Sequence, residues 1–172
     1  MKKFLPALLL AVVLPHTAPA QDAPTRNFDQ VSQKELCEGI QEVLRLRESR
    51  FQTVLGERTR DDIHRSTYRL PGMMPHCNVR RISDWVSYSC IVETPFNWRT
   101  ASDSQVKTYM EKVHGRFSVC LKPPKISRGT SLGPFITYDY PSYREADNIR
   151  SAVVIGTAGG NLIVVHFNTR PE

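Results

Sequence analysis

The chain has 172 residues, with 23 Lys and Arg against 17 Asp and Glu for a formal charge of +6, and 40% of its residues are hydrophobic. That length supports one core of ordinary size, and the apolar share excludes a chain too polar to fold. The positive excess is too slight to point to nucleic acid as a partner, and no apolar run reaches the roughly 20 residues that cross a bilayer.

Residues 1–20 read as a bacterial-type export signal. Lys2 and Lys3 form a positive start, Phe4 to Leu14 a short apolar run, and Ala18-Pro19-Ala20 the small-x-small pattern of a cleavage site. The expected location is therefore the periplasm or the outside of the cell, after cleavage near Ala20. Residues 21–31 are polar, begin with Asp22-Ala23-Pro24, and read as a flexible lead into one α+β domain over 32–170.

A first helix is expected from Ser32, which forms a capping box with Glu35. Leu36, Ile40, Val43, Leu44, Phe51, Val54 and Leu55 recur at helical spacing, and Gly56 is the expected stop. Residues 57–75 are charged, then Pro/Gly-rich, and read as a loop closing on Leu70-Pro71-Gly72. Two strands follow, 76–81 and 85–93, around Ser83-Asp84. Their spacing sets Val79 opposite Tyr88, Arg81 opposite Val86 and Cys77 opposite Cys90. One face then carries Cys77, Val79, Val86, Tyr88, Cys90 and Val92; the other carries His76, Asn78, Arg80, Ser87 and Ser89.

A second helix is expected from the capping box of Ser102 and Gln105, with Val106, Met110, Val113, Phe117, Cys120 and Leu121 on its apolar side. Gly115 predicts a bend or an early end, and Pro123-Pro124 a firm stop. Strands are expected over 135–140, 149–157 and 162–167, the last two joined at Gly159-Gly160. Both of these final strands are apolar on both faces, a pattern typical of central strands. The resulting order, α-β-β-α-β-β-β, predicts an antiparallel sheet of four to five strands with two helices on one face.

The four cysteines all fall on expected core faces. An even count and an export signal point to disulfides, and the absence of any Cys-x-x-Cys pair argues against a metal site. The preferred pairing is Cys77–Cys90 across the hairpin and Cys37–Cys120 between the helices. The competing pairing joins each helix to a strand.

No motif names a reaction, a cofactor or a metal. Gly129-Thr130-Ser131-Leu132-Gly133 matches the G-x-S-x-G pattern, with Asp139 and His166 following in the chain order of α/β-hydrolases. In that alternative, a small secreted serine hydrolase, His166 would deprotonate Ser131 and Asp139 would orient the imidazole. Its surroundings fit poorly, because Pro134 and a strand-like run stand where a helix should follow. The remaining candidates are binding residues. Nine arginines lie between positions 45 and 81, among them Arg45, Arg80 and Arg81, and Arg suits recognition of carboxylates and phosphates. Tyr138, Tyr140 and Tyr143 form a second candidate surface. The doubly apolar last hairpin requires cover on the sheet face the helices leave open. A protein partner, a second copy, or the chain's own 122–148 segment would supply it. The sequence thus points to a non-catalytic exported protein acting by protein–protein contact, as an envelope accessory subunit or an inhibitor or immunity protein.

Overall fold

The computed structural model describes residues 26–121, 127–129, 137–141, 149–158 and 161–171. The expected signal over 1–20 lies outside the described residues, as do Ser131 and Tyr143.

Both expected helix starts form. Ser32 caps α1 (Gln33–Leu46), accepting from the Glu35 amide while the Glu35 carboxylate accepts from the Ser32 amide at 2.9 Å. Ser102 and Gln105 open α2 (Asp103–Cys120) in the same way. The helices bury Leu36, Ile40, Val43 and Leu44 from α1 and Val106, Met110, Val113 and Phe117 from α2. Gly115 does not end α2 early, which continues to Cys120; the buried stripe on either side outweighs its propensity cost of about 1 kcal/mol.

The first helix is shorter than its periodicity suggests. It stops at Leu46, and Arg50 and Phe51 take left-handed backbone angles (φ 51° and 58°) that turn the chain back. Phe51 is fully buried and stacks on Tyr88 at 5.5 Å between ring centroids. That tertiary contact, together with the Ser49 hydroxyl donating to the Leu46 carbonyl, overrides the helical spacing of Phe51, Val54 and Leu55.

The described residues form eight strands: β1 (Leu55–Arg60), β2 (Ile63–Ser66), β3 (Asn78–Ile82), β4 (Trp85–Ile91), β5 (Ser127–Gly129), β6 (Thr137–Pro141), β7 (Ile149–Ala158) and β8 (Leu162–Pro171). They form one antiparallel sheet in the order β1-β2-β3-β4-β8-β7-β6-β5. The α+β class is as expected, but the sheet exceeds four to five strands, chiefly because the β1–β2 hairpin replaces a loop. Its strands are rich in Arg and exposed, so they lack the apolar alternation that marks a half-buried strand. Each half of the chain is one helix followed by four strands. The halves meet where β4 pairs with β8, and the strand order reads outward identically on both sides.

Alternation sorts the sheet into two faces. Under the helices run the rows Val79–Tyr88–Phe167–Val153 and, one row on, Cys90–Val165–Ile155, all buried. The expected register holds, with Val79 opposite Tyr88 and Arg81 opposite Val86. The expected disulfides hold as well: Cys77–Cys90 staples the hairpin and Cys37–Cys120 joins the two helices.

Residues 26–31, expected as part of a flexible lead, belong to the folded unit. Phe28 is fully buried and Val31 is 3% exposed. The Arg116 guanidinium donates to both the Phe28 and the Val31 carbonyls, and its centre lies 4.6 Å above the Phe28 ring. Two apolar residues among polar ones carry no periodicity, so this docking leaves no pattern to read.

Candidate functional site

The hairpin tip between β3 and β4 projects a surface on the face opposite the helices. Ile82 and Trp85 pair across the two-residue turn and remain 50% and 38% exposed. Ser83 supplies the positive φ (54°) that this tight turn requires. Asn78, Arg80, Ser87 and Ser89 continue the same face away from the tip. The middle of this face is less open. Val164 is 6% exposed and His166 is half-buried. On this face the last hairpin is thus already shielded at Val164, and the exposed apolar pair lies instead at the β3–β4 tip.

His166 stands on the central strand β8, opposite Ser89 on β4 and Val154 on β7. Asp139 on β6 is also opposite Val154. The two positions share a row but lie two strand spacings apart, about 10 Å. Burial holds the His166 imidazole below its ordinary pKa, so it is neutral at pH 7. Of the G-x-S-x-G pattern only Gly129 is described: it ends β5 and pairs with Thr137 of the antiparallel β6.

Most exposed arginines are neutralised locally. Arg45 donates through Nε to Glu42 at 2.8 Å, and this bond holds the Glu42 carboxyl below its usual range. Arg80 donates to Asp62 at 2.6 Å with the same effect on Asp62. Arg58 and Arg65 pair with Asp61 and Glu57. Arg81 differs. Its position opposite Val86 puts it on the helix side, where its Nε and Nη2 are shielded from solvent without a hydrogen-bond partner. Tyr138 and Tyr140 pair with Ile155 and Val153, so these positions fall in rows of the helix-covered face.

Two further positions stand out in the structure: Arg50, one of the nine arginines of the 45–81 stretch, and Thr169, which the sequence reading did not single out. Arg50 reaches the hairpin tip, donating to the Asp84 carbonyl at 2.6 Å, and Thr169 is buried beside Val86 with its hydroxyl unpartnered. Extending the 79–88 register to β8 would have found Thr169. Nothing in the sequence marks Arg50, because its placement depends on the left-handed turn after α1.

A small depression of about 40 Å³ lies between the β7–β8 end and the 92–98 segment, lined by Val92, Phe96, Trp98 and Leu162. It has room for about one water molecule and none for a substrate. Among the described residues no cluster of His, Cys, Asp and Glu could hold a metal, and no helix is long and apolar enough to cross a membrane. Comparisons with protein-family models, curated proteins and solved structures found no match to this chain, so the site rests on its own geometry.

Proposed function

We propose that this is an exported, non-catalytic protein that acts by protein–protein contact, as an accessory subunit of an envelope assembly or as an inhibitor or immunity protein. The carrying observation is the exposed Ile82–Trp85 pair at the tip of a hairpin stapled at its other end, on the sheet face opposite both helices. Trp is enriched among residues that anchor interfaces, and a rigid tip loses little freedom on docking. The partner surface that fits is an apolar pocket wide enough for the indole. Because nearby arginines already have acidic partners, charge supplies orientation rather than most of the affinity.

Export is supported by the two disulfides, which persist in oxidising compartments, and by the signal-like residues 1–20. The mature protein should begin at Gln21 and contain no titratable thiol. Four free thiols in the exported form would overturn the compartment.

The test of contact compares the oxidised protein with an Ile82→Ser/Trp85→Ala variant. The variant should keep its melting temperature within a few degrees, since both residues are at the surface. Wild type should capture a partner from envelope extract in fixed stoichiometry, and the variant should lose at least tenfold in affinity for the same partner. Equal capture by both would remove the tip from the interface. Stoichiometric fluorophosphonate labelling at Ser131 would replace the whole reading with the hydrolase.

A further inference from the structure

At one end of the helix-covered face lie two arginines, Arg50 and Arg81, that form no ion pair among the described residues. Arg81 on β3 is opposite Val86 on β4, and Val86 is opposite Thr169 on β8. Arg81 and Thr169 therefore flank Val86 in one row. Arg50 meets this row from the helix layer. Its neighbour Phe51 stacks on Tyr88, one row further in, and its Nη2 donates to the Asp84 carbonyl at the hairpin tip.

Arg50 Nε, Arg81 Nε, Arg81 Nη2 and Thr169 Oγ1 are all shielded from solvent and have no hydrogen-bond partner among the described residues. Thr169 itself is 1% exposed. Among the described residues no carboxylate pairs with Arg50 or Arg81, whereas Arg45, Arg58, Arg65 and Arg80 each have one. A guanidinium keeps its proton under all ordinary conditions, and its N–H groups need oxygen acceptors once water is excluded. Two such groups and a hydroxyl, supplied by three elements at one end of this face, match the several oxygens of a carboxylate or phosphate.

We propose that this row is a binding site for a small oxyanion, a carboxylate- or phosphate-bearing ligand, held by Arg50 and Arg81 with Thr169 donating from the sheet floor. The site lies on the opposite face from Ile82 and Trp85 and stands independently of the contact function.

Thermal unfolding of the oxidised full chain tests it, in rising inorganic phosphate or citrate against sodium chloride at matched ionic strength. Phosphate or citrate should raise the melting temperature saturably, by about 5 °C at a hundredfold excess over the dissociation constant. Arg81→Gln should abolish the rise. Thr169→Val preserves volume and leaves both arginines, so it reports even where Arg81→Gln does not fold; it should weaken apparent affinity roughly fivefold. Arg45→Gln should respond as wild type does. The proposal fails if both anions act no better than chloride, or if Arg81→Gln and Thr169→Val respond unchanged.

Discussion

α1 and α2 occupy equivalent places in the two halves, each leading into four antiparallel strands, yet their glycines have opposite surroundings. A Cβ built on Gly39 of α1 would lie 2.6 Å from Pro71 Cδ and 2.9 Å from Leu70 Cδ1. A Cβ on Gly115 of α2 would meet nothing within 4 Å. The first glycine admits the Leu70-Pro71 turn against the helix, and the second is only a propensity cost. The crosslinks differ too. The first half has its own staple at Cys77–Cys90, whereas Cys37–Cys120 ties that half to the second. Shared topology thus leaves open which residues each half depends on.

The largest effects should come from the disulfides. By loop-closure entropy, replacing both Cys37 and Cys120 by Ala should cost about 4.5 kcal/mol, and replacing Cys77 and Cys90 about 3 kcal/mol. Urea titration of each double variant measures this; a larger loss for the 77–90 pair would break the assigned division of labour. Next in size, Gly39→Ala should cost about 1–3 kcal/mol through the forced shift of Pro71 and Leu70. Gly115→Ala should stabilise by up to about 1 kcal/mol. If calorimetry gave both substitutions the same sign, the contrast between the helices would be lost.

The smallest effect concerns pH and the middle of the sheet. Burial depresses the His166 pKa in the folded state below the ordinary 6.5, so below that value the unfolded chain binds the proton first. Stability should therefore be full above about pH 6.5 and decline as pH falls towards the folded pKa. His166→Gln should flatten that part of a melting-temperature profile. A decline of unchanged slope in the variant would assign it to other groups.

Much of the fold was legible because local rules and global packing agree in those stretches. The capping boxes at Ser32 and Ser102 mark the helix starts, and strict alternation through Cys77, Val79, Tyr88 and Cys90 sets both register and staple. The end of α1 was not legible, because Phe51 obeys helical spacing and yet leaves the helix to stack on Tyr88. Nor was the β1–β2 hairpin, whose arginine-rich strands are held by pairing to β3 rather than by a buried face of their own. Of the candidate residues, the tyrosines at 138 and 140 proved to occupy helix-side rows, and Arg45 and Arg80 proved to be locally paired.

Periodicity and capping depend on neighbours a few positions away, so the amino-acid order alone determined two helices, the central hairpin register and the antiparallel α+β class. Only the tertiary structure decided between the two cysteine pairings, set Arg50 against the hairpin tip and brought Phe28 into the core. Those contacts join segments separated by tens of residues. Their stability comes from burial and from acceptors supplied across the fold, which no local pattern records.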